Sequence, residues 1–208
     1  MASEQSRPDV ALQRDEWFRL RQPRMRIEPH RLLFIDGETA TAGERYHNED
    51  GPPARTGTAR RTPQNGCPLR HWHTQTFVAA LRCYGLTAPW VLDGPMNRHA
   101  FETYVETQLA PTLSRGDVVI MDNLSSHKGP PVTQIIQDCG AWPLLLPPYS
   151  PDLNPSEMAF SKLKELLRKQ GARTIDALWQ AIGNICELFK PIECWNFFRH
   201  AGYAADFT

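Results

Sequence analysis

Neither sign of charge predominates in this chain: 23 lysine and arginine residues balance 23 aspartate and glutamate residues, for a formal net charge of zero. A dedicated nucleic-acid-binding domain usually carries a strong basic excess, so that class is disfavoured. An enzyme that handles nucleic acid and leaves the gripping to another domain is not excluded. Cysteine is sparse and unpatterned. The five present (Cys67, Cys83, Cys139, Cys186 and Cys194) are odd in number and form no CxxC. That speaks against a disulfide framework or zinc ribbon and for free thiols in a reducing compartment. Long apolar runs are missing too. Nothing approaches the roughly 20 residues that span a bilayer, and "MASEQSRPDV" has no apolar signal core, so a cytoplasmic location is expected. There are no internal repeats.

What is present fits one well-buried domain with a small appendage: 208 residues, 41% hydrophobic and 10% aromatic. "DVALQRDEWFRLRQ" (9–22) reads as a modestly amphipathic helix, and "RLLFID" (31–36) as a buried strand ending on Asp36. Strands are expected at 74–85 and 89–95, and a helix over 97–113. A strand at 116–123, a helix at 130–140 and a strand at 142–148 follow. The sharpest helix signal is 154–171, with Asn154 as cap, Pro155 at its first position and Gly171 as terminator. Helices at 174–189 and 191–203 close the chain. Strands first, alternation next and helices last imply a mixed sheet covered by helices. Residues 43–70 break the pattern: four glycines, four prolines and five arginines, with Leu69 the only large aliphatic residue, read as loop or disorder.

Three acids stand out. Asp36 ends the first strand, Asp122 ends "VVIM", and Glu157 lies in the first turn of the 154–171 helix. Neighbouring parallel strands present their C-terminal ends together, so these carboxylates are expected to converge at that edge of the sheet. They would repel one another unless a divalent cation neutralised them, and two Mg²⁺ ions so held can drive phosphodiester cleavage. Each has a plainer reading: Asp36 as a turn residue, Glu157 as the return partner of Asn154 in a capping box. Ser125, Ser126 and His127 lack the Gly-x-Ser-x-Gly surroundings of a hydrolase nucleophile. His71 and His73 are either metal ligands or an exposed strand-edge pair.

"VVIMDNLSSHKGP", "LPPYSPDLNPSEMAFSKLK", "QTFVAALRCYGLTAPWVLDGPMN" and the ending "FFRHAGY" together resemble the catalytic domain of bacterial insertion-sequence transposases of the "six-thirty" group, relatives of the mariner elements. The resemblance covers roughly residues 28–36 and 71–204. It implies an α/β, ribonuclease-H-like mixed sheet flanked by helices over residues 28–208, preceded by an N-terminal helical linker over 1–27. It further implies an Asp-Asp-Glu site of Asp36, Asp122 and Glu157 holding two Mg²⁺ ions, for which Mn²⁺ can substitute. Asn123, Ser126, His127, Lys128 and Asn154 become candidates to face DNA. The implied function is DNA strand cleavage and strand transfer at the ends of an insertion sequence, by a homodimer acting on transposon-end and target DNA.

The sequence departs from the family in two places. Gly37 separates Asp36 from Glu38, where the family has Glu-Thr directly after its first aspartate. Residues 43–70 do not match either, where the family has a basic segment and a second strand. That strand is therefore expected to be degraded, through a local frame shift or a divergent insert. The helix-turn-helix modules of the family have no counterpart here, so a separate DNA-binding protein from an upstream frame is an expected partner. The alternative reading is an inactive remnant that acts at most as a protein-interaction module.

Overall fold

A computed structural model of the chain describes residues 2–5, 7–41, 74–123, 129–170 and 175–204. Its centre is a five-stranded sheet: β1 (Leu32–Thr41), β2 (Thr74–Arg82), β3 (Gly85–Asp93), β4 (Val118–Met121) and β5 (Trp142–Leu145), in spatial order β3-β2-β1-β4-β5. The pairs β1/β2 and β2/β3 are antiparallel, while β1/β4 and β4/β5 are parallel. The helices are α1 (Ala2–Gln5), α2 (Pro8–Glu16), α3 (Gln22–Met25), α4 (Arg98–Tyr104), α5 (Pro130–Asp138), α6 (Ser156–Gln170), α7 (Ile175–Cys186) and α8 (Pro191–His200).

The run "LLFI" is apolar at every position because both faces of β1 are covered. Leu32 and Phe34 point into a core shared with Phe160 and Leu163 of α6, Ile182 and Ile185 of α7, and Phe198 of α8. Leu33 and Ile35 point the other way, among Phe101, Tyr104, Val132 and Ile136. Phe34 meets the Phe198 ring edge-on at 5.4 Å and the Tyr203 ring at 4.9 Å. Complete burial of such a side chain stabilises the fold by about 1.5–3 kcal/mol. At the far side of the sheet, Arg82 is buried with Asp117, Nη2 to Oδ2 at 2.7 Å, and donates also to the Thr112 carbonyl at 3.0 Å. That pair ties the end of β2 to the residue before β4.

One expectation is corrected. The family's second strand, sought in 43–70, is β2 itself. It pairs with β1 in an unbroken register from Phe34↔Leu81 to Thr41↔Thr74, so no slot between them remains for another strand. Asp36 accordingly lies inside β1, paired on the β2 side opposite Ala79. Gly37 is absorbed into that register opposite Val78, and β1 runs on past the expected end at residue 36 because β2 supplies a partner. β3 likewise extends back to Gly85 across the Ala88-Pro89 step. The β2/β3 register shift between Val78 and Ala80, with Ala88 at φ 50°, absorbs the proline's missing donor. Residues 43–70, together with His71 and His73, lie outside the described residues.

The segment expected as an N-terminal linker packs against the body. Val10 and Trp17 are buried, and Trp17 belongs to the same core as Phe34. The helix expected over 9–22 is present as α2 and α3 joined by a π-helical turn at Trp17–Arg21. No helix among the described residues is long and apolar enough to cross a membrane.

Candidate active site

The last parallel pair of β1 and β4 is Ile35↔Met121. Asp36 and Asp122 are the next residues on the two neighbouring strands, so backbone geometry alone sets them side by side at the C-terminal edge of β4. Strand alternation adds the direction. Phe34 faces the α6 side and Ile35 the opposite side, so Asp36 returns to the side of α6, which carries Glu157 in its first turn.

Asp122 and Glu157 line one cavity of about 340 Å³ with Asn123, Asn154 and the stretch Leu146–Pro151. Asp36 does not line it, but lies within electrostatic reach of both acids. Its carboxyl is pushed from an ordinary 3.8 up to about 7, chiefly by burial and next by the negative charge of Glu157, with a smaller push from Asp122. Two donors oppose the shift. The Gly37 N–H donates to Oδ1 at 2.8 Å, and the Ser156 hydroxyl lies 3.0 Å from Oδ2. No cationic side chain among the described residues forms a salt bridge with Asp36.

The "PPYSPDLNPSE" motif forms the wall of this cavity. Tyr149 takes a left-handed conformation at φ 54°, the Ser150 hydroxyl donates to the Pro148 carbonyl at 3.1 Å, and Pro151–Leu153 makes a 3-10 turn. Asn154 is nearly buried, and its Oδ1 accepts from the Ser156 N–H at 3.2 Å, with the Ser156 hydroxyl at 2.6 Å. It therefore caps α6 as its sequence position implies, with its side-chain oxygen turned inward. The Asn154 N–H is taken by the Pro151 carbonyl at 3.0 Å. That is the donor a capping-box Glu157 would need.

Of the residues expected at the site, Asp122, Asn123, Asn154 and Glu157 share the cavity and Asp36 adjoins it. Ser126, His127 and Lys128, like Ser125, lie outside the described residues. Sequence reasoning missed Ser156. Its fully buried hydroxyl bridges Asn154, two residues before the start of α6, to Asp36 on β1. A small hydroxyl residue directly before a candidate acid on the inward turn of a helix was the available signal.

The donor set suits a hard divalent cation. It consists of carboxyl groups only, and burial, with the nearby charge of Glu157, raises that of Asp36 to about 7. Among the described residues no three Asp, Glu, His or Cys side chains stand close enough to hold an ion as placed.

A family model described as DDE superfamily endonuclease matches residues 31–179. Among solved structures, the chain is similar to the Mos1 mariner paired-end complex with Mg (16% identity, TM-score 0.69, 95% of this chain and 60% of that one). It is similar also to the Mos1 strand transfer complex (17%, 0.67, 93% and 58%) and to the catalytic domain of the Mos1 mariner transposase (12%, 0.64, 93% and 88%). The chain thus spans less than two thirds of the first of these proteins and most of the isolated catalytic domain. The likeness shows the fold, a ribonuclease-H-like mixed sheet flanked by helices. No curated protein matches.

Proposed function

The chain belongs to the DDE superfamily of endonucleases, and from that premise we propose that it is a transposase catalytic domain that cuts DNA at the ends of an insertion sequence and joins them to a target. The observation that carries this reading is the largely buried Asp36 carboxyl, beside the cavity that Asp122 and Glu157 line and raised to about 7 by burial and by their charge. A carboxyl so strongly perturbed, beside two further acids that line a cavity, suits a site that receives a cationic ligand.

Asp36, Asp122 and Glu157 are the residues that would hold Mg²⁺ or Mn²⁺. When bound, the ions would supply charge stabilisation for the attacking and leaving oxygens. The chain's own part is positional. β1 and β4 fix the two aspartates relative to each other, and Ser156 ties α6 to Asp36. Cleavage forms a bond from a water oxygen to phosphorus and breaks the bond to the 3′ oxygen, leaving a 3′ hydroxyl and a 5′ phosphate. In strand transfer that 3′ hydroxyl attacks a target phosphodiester in the same way. Asn123, which lines the cavity, would donate to a phosphate oxygen, and the half-exposed Tyr149 ring would offer a stacking face. Ser126, His127 and Lys128 extend the DNA-facing set. Transposon-end and target DNA are the substrates, the working unit is a homodimer, and sequence recognition is left to a separate helix-turn-helix protein, in keeping with the zero net charge.

The test is nicking of supercoiled plasmid and processing of preformed element ends by the full chain, in Mg²⁺, Mn²⁺ or EDTA. Divalent-dependent cleavage by the wild type, lost in Asp122→Asn, supports the proposal. Cleavage indifferent to EDTA, or none on either substrate, favours the inactive remnant.

A further inference from the structure

The N-terminal helical segment lies ahead of the residues that match the family, yet it holds the wall of the candidate active site at four neighbouring positions. Gln5 donates from Nε2 to the Tyr149 carbonyl at 2.7 Å. Arg14 donates from Nη1 to the Ser150 hydroxyl at 2.7 Å. The same guanidinium grips Asp152 with both forks, Nη1 to Oδ1 at 2.9 Å and Nη2 to Oδ2 at 2.7 Å. Trp17 donates from Nε1 to the Tyr203 hydroxyl at 3.0 Å, and that hydroxyl donates to the Leu153 carbonyl at 2.8 Å, all within the core.

Residues 149–151 line the cavity, and three residues after Leu153 begins the helix that carries Glu157. The loop is rich in proline and contains a left-handed Tyr149, so its own backbone ladder supplies few bonds to hold it. A bidentate guanidinium–carboxylate pair fixes direction as well as distance, which a lysine cannot reproduce. Arg14 has only 16% of its side chain exposed, so the pair is partly shielded from solvent, and Ser150 beneath it is buried.

We infer that the segment from Gln5 to Gln22 is part of the active-site scaffold, with Arg14 a positioning residue that sets the 149–153 loop and, through it, Glu157. The inference rests on the proposed function for its catalytic consequence, but its structural content stands apart from it. One corollary concerns attachment. Anything joined upstream of α1 would connect to the active-site wall through this segment.

The experiment is amide hydrogen exchange on the full chain, followed by divalent-dependent cleavage, for wild type, Arg14→Ala, Arg14→Lys, Asp152→Asn and the exchanged pair Arg14→Asp with Asp152→Arg. Arg14→Ala is expected to speed exchange across 149–153 at least tenfold while β1 and β2 stay at wild-type rates, and to lower cleavage about tenfold. Arg14→Lys and Asp152→Asn fall between, and the exchanged pair regains at least half of the lost protection. Unchanged exchange over 149–153 in every variant overturns the inference, as does acceleration spread evenly over the whole sheet, which would mark a general stabilising role. If Arg14→Ala does not fold, Arg14→Lys and Asp152→Asn decide by the same comparison. A loosened loop in a chain whose wild type never cleaves supports the positioning role and sinks the proposed function. Active wild type with indifferent variants does the reverse.

Discussion

Asp36 makes the candidate site a thermodynamic liability in the absence of cations, and its size can be worked out. A carboxyl at about 7 in the folded chain and 3.8 when unfolded binds its proton more tightly in the folded state. Stability is therefore greatest below pH 3.8, falls as pH rises through the window from 3.8 to about 7, and is level above it. At about 1.4 kcal/mol per pH unit the penalty is about 1.6 kcal/mol at pH 5 and about 4 kcal/mol at pH 8, an upper bound because Asp36 keeps some contact with solvent. Asp36→Asn removes the ionisation while keeping one oxygen to accept the Gly37 N–H, its NH2 group then facing the Ser156 hydroxyl oxygen. Urea unfolding in EDTA, with wild type and variant compared at pH 5, 6, 7 and 8, isolates this group, because other titrations cancel in the difference. The variant is expected to gain on the wild type by about 1–2.5 kcal/mol between pH 5 and pH 8. Added Mg²⁺ should stabilise the wild type at pH 8 and leave the variant nearly unmoved. A difference that is flat across this range would show that Asp36 ionises normally and would refute the electrostatic account of the site.

Three further outcomes follow from the packing and hydrogen bonding. Ser156→Ala removes a donor that favours the charged form of Asp36, so the pH midpoint of Mn²⁺ binding should move upward, read by electron paramagnetic resonance; a downward move would contradict the assignment. Phe34→Ala, which vacates the contact with Phe198 and Tyr203, should cost about 3–5 kcal/mol in urea unfolding. Asp117→Ala strands the buried Arg82 guanidinium and should cost a comparable amount, about 3–5 kcal/mol, whereas replacing both partners by apolar residues should cost much less.

The parts of this molecule that were legible in the sequence are those where one residue pattern has one physical solution. The run "LLFI" demanded cover on both faces and receives it from opposite sets of helices. "NPSE" demanded a cap, and Asn154 supplies it. The adjacency of Asp36 and Asp122 was legible because parallel neighbours keep their register, although β1 does not end at Asp36. What was not legible depended on partners far apart in the chain. Whether β1 stops at residue 36 or runs on to Thr41 is decided by the register with β2, whose pairs lie from 33 positions apart at Thr41↔Thr74 to 47 at Phe34↔Leu81, and no local propensity encodes it. The same holds for the N-terminal helix. Its amphipathicity is weak, and its attachment is a set of specific polar contacts to a loop more than 130 residues later, such as Arg14 to Ser150 at a separation of 136. The role of Ser156 was hidden for a related reason: a hydroxyl one residue from a glutamate becomes informative only once the strand carrying Asp36 lies beneath it.

The central claim is that Asp36, Asp122 and Glu157 act as one set. The most direct measurement is cleavage of preformed element ends in Mg²⁺ by the wild type and by Asp36→Asn, Asp122→Asn and Glu157→Gln, with Mn²⁺ binding measured in parallel. The account predicts that each substitution alone reduces cleavage by at least a thousandfold and weakens Mn²⁺ binding, while the fold is retained. Wild-type cleavage in any one of the three, Glu157→Gln above all, would contradict it.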